Sequence, residues 1–578
     1  MKNTIHAIAA ALLLAILAPS CSNAYMEDMN TDKSKATFMD SNALLTTALL
    51  QTYGDFGLMD TYRSYVSGFT QHLAGGWNVT NYAGSVHPDN QQMSLLWDEF
   101  YNVGIKNLVD GIANTADKPN LNAALRIHLV YMMSILTDIY GDVPCTEAGK
   151  GYTDGISNPK YDTQKDIYDF FFTELAACEA QLSADADRIT GDVTAYNGDP
   201  AKWQKLANAL RLRFAMRISD VDPAKAQAEF EAALAKPYIQ EAEDDAYVRY
   251  IDGPFTQYDG ARDLDFRVNA YAEILYGQDK ESPTLVCATL YNKLKNTADP
   301  RLYKICRHYN LAARNDKAYD VTGILDVTDE VAAWEVTSGL GSHPCRVGEA
   351  WYSSSCWVNA PDNADIPTLA AKVAENPDAG YDKNNFNARM VRPALSLDFE
   401  APYTPGIILT SAEVEFLLAE AADKGWGVTG TAAAHYNAGV TAAMKLLNQH
   451  YLAAKNAITD EEIAAFLAAN PLGANAKESI NTQAWILHLT NPAEAWANLR
   501  RSDYPVLDDR RLIPKEGSFT YDDDNLETPV RLKYPKLEEN YNNDRYTEAI
   551  NRAPLNGKDN WHTRVWWDQH DGRFTDNP

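Results

Sequence analysis

Apolar residues at helical spacing recur through the first half of the chain, and they constrain its fold more than any other feature. In one stretch they follow in steps of four and three, the repeat of a single helix face, at Leu125, Leu129, Met132, Leu136 and Ile139. The spacing returns in two later series: Ile167, Phe171, Leu175, Cys178, Leu182, and Trp203, Leu206, Leu210, Phe214, Ile218. A helix with one apolar face must bury that face, so the pattern predicts helices packed against one another.

Helix pairs are predicted again further along the chain. Residues 411–423 and 431–448 carry helical patterns, and the short break Gly425-Trp426-Gly427 between them predicts antiparallel packing. Paired amphipathic helices with short turns are typical of scaffolds such as tetratricopeptide repeats. The predicted fold class is therefore mostly α, a tetratricopeptide-like scaffold of helical pairs with an irregular, loop-rich half.

Two start signals support further helices in the second half. Thr459 with Glu462 three residues later has the pattern of a capping box. Asn491 precedes Pro492, and proline is favoured at the first position of a helix.

Composition divides the chain into regions. The helical scaffold is predicted at about 40–235 and 405–505, and the stretch 240–400, rich in Gly, Pro, Asp, Asn and Tyr, is predicted to form a loop-rich ligand region. A second loop-rich segment spans 515–578. We expect residues 21–578 to form a single domain.

The amino-terminal residues have the layout of a secretory signal. Lys2 is followed by an apolar run over residues 5–18, which breaks at Pro19-Ser20 directly before Cys21. The interpretation is a lipoprotein signal peptide at 1–20, with acyl chains on Cys21 as the membrane anchor. An ordinary secreted protein with an incidental cysteine is the alternative. Later apolar stretches are interrupted by charge, so we expect no membrane-crossing segment.

The formal charge of −28 makes nucleic acid and anionic lipid headgroups poor partners, and no nucleic-acid binding is predicted. Among the seven cysteines, Cys345 and Cys356 lie close in a turn-rich stretch, and the sequence leaves their pairing open. Four others, Cys145, Cys178, Cys287 and Cys306, sit mostly in apolar patterns and are predicted to be buried thiols.

Motifs for catalysis and cofactor binding do not occur in the sequence: there is no HExxH, Walker loop or GxSxG. His343, Cys345 and Cys356 lack a fourth ligand at a usual spacing, so no metal site and no cofactor are predicted. Glycoside hydrolysis needs only two carboxylates, for which Asp263 and Asp265 are candidates, but loop capping explains such residues as well. A non-enzymatic binding protein is the preferred interpretation; a hydrolase and a pure assembly scaffold are the alternatives.

Several stretches in succession resemble the SusD/RagB family of outer-membrane nutrient-binding lipoproteins, closest to its second SusD-like branch. The stretches are Leu136–Pro144 (LTDIYGDVP), Trp203–Arg217 (WQKLANALRLRFAMR), Glu494-Ala495-Trp496 with Arg500-Arg501, Arg531–Pro535 (RLKYP) and Val565-Trp566-Trp567. The resemblance covers nearly the whole chain after Cys21 and keeps the order of the motifs.

The resemblance implies a function and a partner. Family members capture glycans, or in some cases peptides, and pass them to a TonB-dependent outer-membrane barrel of the SusC type. We therefore expect a lipid-anchored outer-membrane protein facing the cell exterior that binds an oligo- or polysaccharide and is not an enzyme. A peptide-binding member of the same family is the alternative.

The ligand site is predicted from chemistry, because sugars stack their C–H faces on aromatic rings and need polar partners for their hydroxyls. Two predicted loops combine aromatic and small polar residues: 75–82, where Gly75 and Gly76 permit a tight turn, and 351–359. Tyr258 in a neighbouring loop is predicted to add to the same surface. The predicted ligand-binding residues are Trp77, Asn81, Tyr82, Tyr258, Trp351, Tyr352 and Trp357. The alternative is that these rings only pack loops onto the scaffold.

Other motif residues are interpreted as structural. Arg500 and Arg501 are predicted to hold the fold through carboxylate or carbonyl contacts. Asp138 and Asp142 are predicted to cap a helix-ending turn. Three tryptophans are predicted to lie in the core: Trp203, Trp485 and Trp496.

Overall fold

The computed structural model describes residues 39–253, 266–276, 284–308, 345–349, 393–515, 519–521 and 526–569. All elements below belong to the unit that begins at Ser41. Tyr258, Trp351, Tyr352, Trp357 and Cys356 lie outside the described residues, as does the amino-terminal segment with Cys21.

Between residues 39 and 235 the structure forms ten α-helices: α1 (Ser41–Gly54), α2 (Phe56–Thr61), α3 (Ser67–Phe69), α4 (Trp77–Val79), α5 (Asn90–Glu99), α6 (Lys106–Ala113), α7 (Pro119–Tyr140), α8 (Gln164–Gln181), α9 (Pro200–Arg217) and α10 (Pro223–Leu234). The three predicted apolar series lie on α7, α8 and α9, which pack side by side in sequence order. Proline opens α7, α9 and α10, where its missing N–H costs no helical hydrogen bond.

The described part of the middle region contains both helices and short strands. It contains α11 (Ala270–Tyr276), α12 (Ala288–Asn296) and α13 (Leu302–Ile305). Among the residues that the structure describes, short strands form three antiparallel pairs: β1 (Leu73–Ala74) with β3 (Leu285–Val286), β2 (Ala246–Val248) with β6 (Gly406–Leu409), and β4 (Cys306–His308) with β5 (Pro393–Leu395). The strands therefore join the middle region to both helical parts of the chain.

The second half continues with α14 (Ser411–Asp423), α15 (Ala432–His450), α16 (Asp460–Ala469), α17 (Ala476–Leu487), α18 (Pro492–Ser502), α19 (Lys536–Tyr541) and α20 (Asn543–Asn551). The predicted pair is confirmed, since α14 and α15 pack closely against each other. Both start signals are confirmed as well. Thr459 and Glu462 form a reciprocal capping box, and the Asn491 side chain caps α18. The fold class, mostly α with tetratricopeptide-like helical pairs, is confirmed.

Buried arginines hold these helices together. Arg213 on α9 donates to both carboxylate oxygens of Glu413 on α14, at 2.6 and 2.7 Å. Arg501 on α18 makes the same two-point contact with Glu420 on α14, at 2.8 and 2.7 Å. Arg500 donates instead to backbone carbonyls, including that of Val530 at 2.8 Å. The structural interpretation of Arg500 and Arg501 is thus confirmed, because a buried guanidinium must have its charge and donors satisfied.

The predicted core tryptophans are buried: Trp203, Trp485 and Trp496 are at most 1% exposed. The capping interpretation is wrong for Asp138, which accepts hydrogen bonds from the Tyr168 hydroxyl at 2.6 Å and the Trp567 indole at 2.8 Å. Asp138 lies inside α7 and not at its end, so it does not cap the helix. Its two hydrogen bonds join α7 to α8 and to the carboxyl-terminal segment. Asp142 does accept the backbone N–H of Gln164 at the start of α8, at 2.9 Å.

The predicted buried thiols Cys178 and Cys287 are fully buried, whereas Cys145 and Cys306 are only partly buried. None of the described helices is both long enough and apolar enough to span a membrane.

Candidate functional site

The first predicted binding stretch forms a short helical segment, not the loop that the sequence suggested. Gly75 and Gly76 have φ angles of +66° and +62°, which reverse the chain after β1. Residues Trp77–Val79 then form α4, and Thr80–Gly84 continue as one turn of π-helix. We call residues 77–84 the Trp77 segment. Left-handed backbone at two successive positions requires glycine, so the turn itself follows the prediction.

Trp77 is the exposed aromatic residue of this segment. Its side chain is 45% exposed, whereas Tyr82 is only 8% exposed. The two rings meet edge to face, with centroids 5.6 Å apart and planes at 89°. Tyr82 in turn contacts Tyr65 (5.7 Å) and lies nearly parallel to the His87 ring at 6.4 Å. The exposed indole therefore packs on one buried ring, Tyr82, which itself packs against other aromatic rings.

Asn81, the third predicted residue of the stretch, is partly exposed. Its backbone carbonyl accepts a hydrogen bond from the Ser85 hydroxyl. The Trp77 segment therefore carries both an exposed indole and a partly exposed amide, the residue types that offer a sugar a stacking face and a partner for its hydroxyls.

Glycines allow the Trp77 segment to pack closely against two other parts of the chain, one at Gly68 and one at Gly348. A Cβ atom on Gly68 would meet the Ala83 Cβ at 2.5 Å, and one on Gly84 would meet the Gly348 Cα at 2.5 Å. The Thr80 hydroxyl donates to the backbone carbonyl of Glu349 at 3.4 Å. The 345–349 segment thus lies directly against the Trp77 segment.

Strained backbone brackets this region. Gln71 before it and Val86 after it have φ angles of +54° and +50°. Val86 is buried and β-branched, a residue type that rarely adopts a left-handed conformation. Strain of this kind persists where the surrounding packing determines the backbone, and it is concentrated at functional sites.

The remaining predicted ligand residues, Tyr258, Trp351, Tyr352 and Trp357, lie outside the described residues and stay predictions. In the sequence, Trp351 comes two positions after Glu349, whose carbonyl accepts from Thr80 in the Trp77 segment. Cys345 is buried, and its proposed partner Cys356 lies outside the described residues.

Another cluster has the residue types of a metal site but serves the scaffold. Ligand atoms of Glu413, His488 and Glu494 lie within 4.8 Å of one another, and all three residues are buried. Arg213 occupies the Glu413 carboxylate, and Arg217 donates to both oxygens of Glu494 at 2.6 Å. Burial lowers the pKa of His488. Two guanidinium groups therefore already neutralise the carboxylates that a cation would need.

Sequence reasoning missed Gly348, Glu349 and Arg510, which contact the Trp77 segment or lie beside it. Gly348 has a φ of +92° and sits against both Gly84 and Arg510. Nothing in the order of the sequence signals that residues more than 250 positions apart meet here. Arg510 is followed by Arg511 in a short charged run, and only the fold shows that the first is buried and the second exposed.

Comparisons with known proteins agree with this architecture. A family model described as "Starch-binding associating with outer membrane", SusD-like, matches residues 32–340 and 370–535. A SusD-like protein from Bacteroidetes is 38% identical with a TM-score of 0.77, covering 92% of this chain and 100% of its own. A chitin-binding protein is 30% identical with a TM-score of 0.70 at the same coverage. A chitin-binding SusD homologue from Flavobacterium johnsoniae is similar in fold, with 20% identity, a TM-score of 0.65 and coverage of 92% and 98%.

No curated protein matches the chain. The family match extends over most of the sequence, and two solved structures share at least 30% identity along their full length. The chain belongs to the second SusD-like family of starch-binding proteins that associate with the outer membrane.

Proposed function

We propose that this protein binds a glycan at the cell surface through the Trp77 segment and delivers it to a TonB-dependent barrel of the SusC type. The observation that carries the binding role is the half-exposed Trp77 indole, held edge to face on the buried ring of Tyr82. A fixed aromatic face binds a pyranose ring with little loss of side-chain entropy. Membership of a starch-binding family supports a polysaccharide as the ligand.

The proposed ligand is a neutral glycan, and chitin oligosaccharides are the first to test. A relative that is 30% identical over its whole length binds chitin, and the family description names starch. Trp351, Tyr352 and Trp357 follow the 345–349 segment in the sequence and are proposed to add to the same surface, together with Tyr258.

The binding experiment compares Trp77→Ala with a matched exposed aromatic elsewhere. Tyr541 on α19 is 78% exposed, so Tyr541→Ala removes a ring of similar accessibility. Titration calorimetry with chitin and starch oligosaccharides should show about tenfold weaker binding for Trp77→Ala, because a stacked ring face contributes about 1.5 kcal/mol. Tyr541→Ala should bind like the wild type.

The same preparation separates a binding protein from an enzyme. We expect retarded migration in a gel containing the polysaccharide and no release of reducing ends. Release of reducing ends would establish glycoside hydrolysis instead. Binding of peptides in place of every glycan tested would favour a peptide-binding member of the family.

Anchoring and partnership complete the proposal. We propose that Cys21 carries the lipid anchor and that the protein faces the cell exterior. Cys21→Ala should move the protein into the soluble fraction, and retention in the membrane without the barrel would contradict this.

Outer membranes solubilised in mild detergent should yield the protein together with a TonB-dependent barrel. Recovery of the protein alone would count against that partner.

A further inference from the structure

A buried arginine from a distant part of the chain meets the end of the Trp77 segment. Arg510 is 2% exposed and lies in a short 3-10 turn, Arg510–Leu512. Its Nε donates to the backbone carbonyl of Gly84, the last residue of the π-helical turn. Its Nη1 donates to the carbonyl of Ile513 at 2.6 Å. Carbonyls at the end of a helix lack partners within the helix, so the guanidinium supplies a donor that the segment cannot supply itself.

The 345–349 segment closes on the same guanidinium. A Cβ atom on Gly348 would lie 2.5 Å from the Arg510 Cζ, so only glycine allows this approach. Gly348 also packs on Gly84, and Glu349 accepts a hydrogen bond from Thr80. Arg510 therefore lies where three chain segments meet: the Trp77 segment, the 345–349 segment and its own 3-10 turn.

Gln71 holds the backbone that leads to Arg510. The Gln71 side-chain amide donates to the Asp508 carbonyl at 2.7 Å, and its oxygen accepts the Asp508 N–H at 3.1 Å. Gln71 holds a strained φ of +54° just before β1. The backbone two residues before Arg510 is thereby tied to the chain that leads into the Trp77 segment.

We infer that Arg510 is a positioning residue for glycan binding: it holds the Trp77 segment against the 345–349 segment so that the Trp77 indole keeps its binding orientation. This inference rests on the proposed function. Arg510 makes two hydrogen bonds to carbonyls and lies against Gly348. These contacts need the planar shape and several donors of a guanidinium, which an ammonium group does not reproduce.

The test uses the full-length protein and a neighbouring arginine as the matched control. Arg511 is exposed and pairs with Asp509 at 2.9 Å, so Arg511→Gln removes the same charge one residue away. We expect Arg510→Gln to weaken binding of chitin oligosaccharides about tenfold and Arg510→Lys to weaken it about threefold, with Arg511→Gln unchanged. The double variant Arg510→Gln/Trp77→Ala should bind no more weakly than Trp77→Ala alone, because the arginine acts through the indole.

A spectroscopic measurement separates positioning from general stability. Protein labelled with 5-fluorotryptophan gives a 19F signal for Trp77, assigned by its loss in Trp77→Phe. We expect Arg510→Lys to shift that signal while the signals of the core tryptophans stay in place. Arg510→Lys keeps the charge and is the variant to use if Arg510→Gln does not fold.

Two outcomes would overturn the inference. One is a folded Arg510 variant with wild-type affinity and an unchanged Trp77 signal; the other is additive losses in the double variant. If Trp77→Ala itself leaves glycan affinity unchanged, the proposed function fails at this site. The 19F shift then still decides whether Arg510 positions Trp77.

Discussion

Two regions of the molecule each depend on a buried arginine: the scaffold, where Arg501 contacts Glu420, and the end of the Trp77 segment, where Arg510 contacts Gly84. The partners of the two arginines differ. Arg501 faces a carboxylate, Glu420, so that two opposite charges share the interior. Arg510 has no salt bridge to a carboxylate among the described residues; it donates to the backbone carbonyls of Gly84 and Ile513 instead. The first arrangement ties two helices together, and the second joins the end of the Trp77 segment to two other chain segments. Burial alone therefore does not distinguish an arginine that holds the scaffold from one that, like Arg510 in our proposal, supports binding.

The largest expected effect lies in the scaffold. Arg501→Ala leaves the Glu420 carboxylate buried without its main counter-charge, so we expect a loss of about 3 to 5 kcal/mol in the free energy of unfolding. Urea denaturation measures this loss. The control is Arg511→Ala at an exposed pair, for which the expected change is below about 1 kcal/mol. An Arg501→Ala loss as small as that of the control would show that the buried pair of Arg501 and Glu420 does not hold the scaffold together.

The second effect is a pH dependence that belongs to the scaffold alone. Burial by itself would raise the pKa of Glu420, but the charge and hydrogen bonds of Arg501 lower it to about 2 from an ordinary 4.5. A carboxyl with a lower pKa in the folded state stabilises the fold above its unfolded pKa. That contribution, about 3 kcal/mol, is lost as the pH falls from about 5 to about 2.

The measurement is the free energy of unfolding of the wild type and of Glu420→Gln between pH 7 and pH 3. The difference between the two proteins should shrink as the pH falls, because the wild-type carboxyl then binds a proton on unfolding. A constant difference over this range would contradict the assignment. Trp77→Ala is the control, and its stability difference from the wild type should not vary with pH.

The third prediction separates the two rings of the proposed site. Tyr82 is buried among aromatic neighbours, so Tyr82→Ala should cost about 2 kcal/mol of stability and also weaken glycan binding, since Trp77 loses its support. Trp77→Ala should weaken binding with a thermal midpoint close to that of the wild type. Equal stability losses in both variants would show that Trp77 is a core residue, the alternative left open by the sequence.

The two regions also differ in how much the sequence predicts. Helix spacing and caps are local signals, so α7, α8 and α9, the α14–α15 pair and the Thr459 capping box could all be predicted. Asp138 was misinterpreted because its partners, Tyr168 and Trp567, are 30 and 429 residues away. Local signals carry no information about such contacts.

The candidate site was predictable only in its chemistry. Trp77, Asn81 and Tyr82 predicted an aromatic and polar surface. The turn predicted at Gly75 and Gly76 is present in the structure. The π-helical turn, the burial of Tyr82 and the contacts with Gly348 and Arg510 depend on packing between segments that are distant in sequence. The sequence could therefore propose which rings bind a sugar, but not which residues hold those rings in place.

The smallest expected effect concerns a signal that the sequence did contain. Thr459 caps α16, with its hydroxyl accepting from the Glu462 N–H at 3.2 Å while the Glu462 carboxylate accepts from the Thr459 N–H at 2.7 Å. Thr459→Ala leaves a helix N–H without its partner and should lower the free energy of unfolding by about 1 kcal/mol. Thr459→Ser keeps the hydroxyl and is the matched control, expected to stay within about 0.5 kcal/mol of the wild type. Glycan affinity should be unchanged in both variants, because no described contact links this cap to the Trp77 segment. Weaker binding in Thr459→Ala alone would show that the scaffold and the Trp77 segment are energetically coupled, and would remove the distinction between the two regions.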